Sequence, residues 1–193
     1  FYDKDVAPIP QSQSDVTSLW RTSQSARPTP LSLNQQATRA VALKDDHVQW
    51  MSWRFQPVIH PRDGLVLHNV RFLDNGSERT VAHRLSLGEA VVLHSDSSIY
   101  WYWRYGLLGG ELGLGQHVRS QHTGDEVPEN ARTLTAGRLS VTGRAEDIPG
   151  AIAVFELPGN VLVVRSVFGI GQMTVQQDYV LGADGSITLD VGF

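Results

Sequence analysis

Residues 50–92 read WMSWRFQPVIHPRDGLVLHNVRFLDNGSERTVAHRLSLGEAVV. Apolar residues alternate or run together over 48–58 and 65–73, and Pro61-Arg62-Asp63-Gly64 stands between these segments as a turn. Asp74-Asn75-Gly76 marks a second turn before another strand signal over 80–94. Asn and Gly tolerate the positive φ that tight hairpin turns require, so this spot reads as a hairpin tip. The pattern continues downstream with short apolar segments over 134–142, 151–157, 161–168, 173–181 and 187–191. Pro158-Gly159-Asn160 and Ala183-Asp184-Gly185 separate the last of them. Short strands at this spacing predict an all-β, antiparallel β-sandwich with few helices.

The flanks are less regular. Residues 1–36 are rich in Ser, Gln, Thr and Pro and read as an extended N-terminal arm, with one helical turn near 15–21 and Trp20 as an anchor. The expected domain organisation is this arm followed by a single sandwich over 37–193. Residues 116–132 are polar with Gly and Pro, and read as a mobile loop.

Composition narrows the function classes. Hydrophobic residues at 41% and charged residues at 19% are ordinary for a globular chain that buries a core. No apolar run approaches the roughly 18 residues of a membrane-spanning helix, so no membrane span is expected. A net charge of −4 without a basic cluster argues against a nucleic-acid partner. The absence of cysteine removes disulfides, thiolate nucleophiles and zinc-thiolate sites. Asn75-Gly76-Ser77 is an N-glycosylation sequon, and with a chain that starts at Phe1 it fits a secreted protein whose leader has been removed.

The stretch 50–92 resembles the opening of the catalytic domain of copper-dependent amine oxidases. The matching residues are Trp50, Trp53, Phe55, Pro61, Arg62, Asp63, Gly64, Leu65, His83, Arg84, Ser86, Leu87, Glu89, Val91 and Val92. The resemblance implies the family's large β-sandwich. It also implies where the family's chemistry should sit. Aligning Gly110, Glu111, Gly113 and Gly115 with the family's Gly-rich loop puts Leu108 at the position of the catalytic aspartate. Counting back from Asp184-Gly185-Ser186-Ile187 puts Met173 at the position of the tyrosine that becomes topaquinone. The family's copper-binding histidines lie beyond that tyrosine, and this sequence has no histidine after His122. A methionine has no phenol to oxidise, and a leucine cannot take a proton. The resemblance therefore implies a truncated, degenerate member that is not an amine oxidase and has no cofactor.

Other residues invite a chemical reading. In the aromatic run Tyr100-Trp101-Tyr102-Trp103-Arg104-Tyr105, strand alternation places Trp101, Trp103 and Tyr105 on one face. That face is either core or the wall of a ligand site. Leu108 and Met173 are either leftover core or the floor of an apolar pocket. Glu111, Asp178 and Tyr179 are the acid–base candidates, and Trp103 is a further hydrogen-bond donor. Seven histidines show no His-x-His or His-x₃-His spacing, so no metal site is expected.

The expected function is a cofactor-independent enzyme acting on an apolar or aromatic small molecule. Its reaction would be of the cyclase or pericyclase (Diels-Alder-like) type, in secondary metabolism. Tyr179, Trp103 and Glu111 would be catalytic, and Trp101, Trp103, Tyr105, Leu108 and Met173 would bind substrate. The alternatives are a non-catalytic small-molecule-binding protein and a structural or dimerisation module. Half of a large sandwich exposes sheet edges. A homodimer is the favoured way to cover them, against closure into a barrel-like monomer.

Overall fold

The computed structural model describes residues 41–44, 46–89, 113–140, 142–171 and 173–192. They form two antiparallel sheets. The first contains β1 (Ala42–Lys44), β2 (His47–Trp50), β3 (Trp53–His60), β4 (Gly64–Asp74) and β5 (Ser77–Leu85), arranged in chain order. A 3-10 turn (Leu114–His117) then leads into β6 (Val118–Arg119), which pairs with β9 (Val161–Ile170). The rest of the second sheet is β7 (Arg132–Leu139), β8 (Ala145–Leu157), β10 (Met173–Gly182) and β11 (Ile187–Gly192). Its order is β11-β10-β9-β8-β7. The antiparallel β-sandwich is the architecture expected from the sequence.

Alternation explains which faces meet. Along β3, Trp53, Phe55 and Ile59 point inward, while Arg54 is exposed. Leu65, Leu67 and Val70 of β4 join them. From the other sheet come Ile152, Val154, Leu162, Val164, Phe168, Val175, Tyr179 and Leu181, which complete one shared core. β8 and β9 are also covered on their other face. There Val127 packs with Ala153, Phe155 and Val163 in a second apolar cluster. Strands covered on both faces read as unbroken apolar runs, as 151–155 and 161–164 do.

Three polar tethers cross between the sheets. The Trp50 indole N–H donates to the Glu156 carboxylate. Trp53 Nε1 donates to the Gly182 carbonyl at 2.8 Å. From the opposite side, Gln177 binds Leu65 twice, accepting from its N–H at 3.0 Å and donating to its carbonyl at 2.8 Å. Each tether satisfies a polar group that burial would otherwise penalise.

Two sequence expectations are corrected. Residues 48–58 are not one strand. They fold back at Met51-Ser52 into the β2–β3 hairpin, with Met51 at φ +49° and Trp50 paired with Trp53. Methionine carries no turn signal, and the apolar residues on both sides hid the break. Nor are residues 116–132 a free loop: Val118, Gln121 and Val127 are buried against the second sheet. A short parallel bridge, Thr123 with Val127, shapes the segment. Its polar residues are spent on tying it down, which composition alone cannot show.

Candidate functional site

Of the residues singled out from sequence, Trp101, Trp103, Tyr105, Leu108 and Glu111 lie outside the described residues. Met173 and Tyr179 lie within them, on β10. Met173 opens the strand opposite Ile170 and is 38% exposed. It is an accessible thioether at the rim of the β9–β10 hairpin. Tyr179 sits six positions further along on the same face, 2% exposed, in the core between the sheets. At about 3.3 Å per residue the two are roughly 20 Å apart, too far for one small molecule to touch both. The structure therefore does not bring these two candidates together.

The Tyr179 hydroxyl is buried without a hydrogen-bond partner among the described residues. Gln177, its neighbour on the same face, has both amide atoms committed to Leu65. Burial pushes the phenol pKa up to about 12, and the nearby Asp63 carboxylate adds to the shift, while Gln177 and Arg84 oppose it. Tyr179 is thus a neutral phenol at every physiological pH.

Close to this part of the core lies a charged turn. Pro61-Arg62-Asp63 reverses the chain between β3 and β4, and Gly64 at φ +76° begins β4. A side chain at Gly64 would place its Cβ 2.7 Å from Gln177 Oε1 and 2.9 Å from Leu114, so glycine is required there. The Asp63 carboxylate accepts from the Arg84 guanidinium and lies 3.2 Å from His60 Nδ1. His60 Nδ1 also accepts from the Asp63 backbone N–H at 3.3 Å, which ties the turn to itself. Arg62 stands 3.9 Å from Glu89. The residues that carried the sequence resemblance thus assemble into a structural clasp.

Asp178 is explained by a different partner. It faces away from the core and takes a two-pronged hydrogen bond from Arg165, at 2.9 and 2.7 Å. Arg165 also donates to the Glu126 carbonyl at 2.6 Å and lies over the Phe155 ring at 5.3 Å. Glu126 in turn accepts from both Arg119 terminal nitrogens and from the His122 backbone N–H. The Arg119 hydrogen bonds hold the Glu126 carboxyl at a pKa of about 2. Asp178, an acid–base candidate from the sequence, is committed here to fastening residues 120–131 onto the sheet.

Gln177 was missed as a site residue by sequence reasoning. Its signal was present: an amide at an inward position of a strand otherwise lined by Val175, Tyr179 and Leu181. Among the described residues no group of three His, Cys, Asp or Glu side chains is placed to hold a metal ion. The described donor set does not fit a metal centre, and Met173 does not fit a quinone precursor.

Residues 41–190 match the family model described as copper amine oxidase, enzyme domain. The primary amine oxidase of Klebsiella aerogenes is 29% identical over 181 residues, covering 84% of this chain and 24% of that protein. N-methylputrescine oxidase 1, peroxisomal, of Nicotiana tabacum is 30% identical over 128 residues, covering 66% of this chain and 16% of that protein. In three dimensions the chain resembles a copper-containing benzylamine oxidase from Hansenula polymorpha, with TM-score 0.69, 18% identity, and coverage of 84% of this chain and 28% of that one. An Aspergillus nidulans amine oxidase gives TM-score 0.63 at 16% identity, over 98% of this chain and 26% of that one. The chain spans about a quarter of the length of such relatives.

Proposed function

This chain belongs to the copper amine oxidase family through its enzyme domain, and on that premise we propose that it works without a protein-derived quinone. The observation that carries the proposal is Met173, a half-exposed thioether where the family's tyrosine is expected. A thioether has no ring to convert. The described phenol on the same strand, Tyr179, is sealed in the core. Oxidative deamination is therefore not assigned to this chain.

The reading assigned instead is the handling of an apolar or aromatic small molecule at the end of the sandwich where Met173 is exposed. Trp101, Trp103, Tyr105 and Leu108 are assigned to the walls, Met173 to the rim, and Glu111 to the polar contact. The reaction class is a cofactor-independent cyclisation of pericyclic type. Bonds reorganise within the bound substrate, and no electrons pass to or from the protein. Such a reaction needs a held conformation and a few hydrogen bonds, which side chains alone supply. Tyr179 is left out of the contact set, because it is buried and distant from Met173.

The test is an untargeted metabolite comparison of source cells with and without the protein. Loss of a cyclised product with accumulation of its precursor is expected. Accumulation of an amine with loss of its aldehyde overturns the reading. An unchanged profile overturns catalysis in favour of binding alone.

A further inference from the structure

The tip of the β4–β5 hairpin carries Asn75-Gly76-Ser77. The pair Asp74–Ser77 closes the ladder, and the two residues between take φ +49° and +82°. Positive φ at both positions is what a type I′ turn demands, and Asn-Gly is the pair that meets the demand most readily. The turn therefore explains Asn75 and Gly76. It does not explain Ser77, which opens β5 as an exposed residue where the fold would accept many side chains. The serine is what converts a common turn into an acceptor sequence.

The surroundings leave room for a large adduct. Residues 73–81 are exposed throughout, and a Cβ added at Gly76 would meet nothing within 4 Å. The nearest charges are engaged with each other: Asp74 with Arg79 at 3.9 Å, and Glu78 with Arg54 and Arg71. β5 is the outer strand of its sheet among the described residues, so a polar adduct at its start would also shield an open edge.

We propose that Asn75 is an N-glycan acceptor. The Asn75 amide nitrogen attacks C1 of a polyprenyl-diphosphate-linked oligosaccharide. The N–C1 bond forms, the C1–O bond to the diphosphate breaks, the lipid diphosphate departs with the bonding pair, and one amide proton is lost. The product stands on a solvent-facing turn and displaces no packed group. The site is independent of the reaction assigned above.

The test uses the full chain, secreted by a yeast host behind a cleavable leader, and reads the tryptic peptide 72–79. The expected result is a mass increase on that peptide, removed by peptide N-glycosidase. It is kept in Ser77→Thr and lost in both Asn75→Gln and Ser77→Ala. Recovery of the secreted wild-type peptide wholly unmodified overturns the proposal, as does a shift that survives in both loss variants.

Discussion

Arg84 donates to the carboxylate of Asp63, joining the start of one family motif to the turn of another. Arg84 comes from the His83-Arg84 pair on β5, and Asp63 from the Pro61-Arg62-Asp63-Gly64 turn between β3 and β4. Asp63 is only 14% exposed, and Arg84 covers it from the solvent side at 40%. Residues from the stretch that carries the family resemblance are therefore occupied in holding a turn in place.

A first prediction follows from that pair. Asp63→Asn removes the charge while keeping the shape, and should cost about 1 kcal/mol of stability, the scale of a partly exposed ion pair. Thermal melts at low and high salt check it. The gap between wild type and variant should narrow as salt rises.

Gln177→Leu should be much more harmful than its surface area suggests. It strands the Leu65 N–H and carbonyl, both buried, at about 1–3 kcal/mol for each orphaned group. Urea unfolding gives the value directly. A loss below about 1 kcal/mol would show that the double hydrogen bond between the sheets contributes little.

Gly64→Ala is predicted to couple to the same tether. The substitution forces a side chain into φ +76° and drives its Cβ against Gln177 Oε1. In a Gln177→Ala background one of the clash partners is gone while Leu114, Phe168 and the positive φ remain, so the cost of Gly64→Ala should fall in part and the two changes should be non-additive. A double-mutant cycle measures the coupling.

Stability should change at both ends of the pH scale, for different reasons. Glu126 has its folded pKa held down to about 2, chiefly by hydrogen bonds from Arg119. The unfolded chain binds that proton first, so this contribution is present above the ordinary value of 4.5 and fades as pH falls toward 2. Glu126→Gln should flatten that part of the curve. Tyr179 has its folded pKa pushed up to about 12 by burial. Between pH 10 and about 12 the unfolded state is the one that ionises, so stability falls by up to about 1.4 kcal/mol per pH unit. Tyr179→Phe removes an unpartnered hydroxyl, so it should be near neutral at pH 7 and should abolish the alkaline slope. Phenolate absorbance during titration checks the assignment.

The sandwich was legible because turn chemistry and alternation agreed. Asn75-Gly76, Pro158-Gly159-Asn160 and Ala183-Asp184-Gly185 each mark a real reversal between neighbouring strands. The turn at Met51-Ser52 was not legible, because the positive φ falls on a methionine, which announces no turn, and a lone serine between apolar residues is a weak signal. The burial of residues 116–132 was hidden for a related reason. Gln121 donates to the carbonyls of Ala151 and Arg165, at 3.1 and 3.0 Å, from strands far along the chain. Long-range partners of this kind leave no local pattern. At the candidate site, the structure puts Met173 and Tyr179 on one face of β10, and strand alternation is silent on the burial that separates them. Trp50 and Trp53 read as motif residues, whereas their work is to reach across the core to Glu156 and Gly182.

Peptide mapping with quinone staining of the full chain, after expression and incubation with copper in air, decides whether β10 carries a quinone. The expected result is an unmodified Met173 peptide, an unmodified Tyr179 and no redox-cycling stain. A quinone on any residue of β10, accompanied by aldehyde release from an added amine, would contradict it.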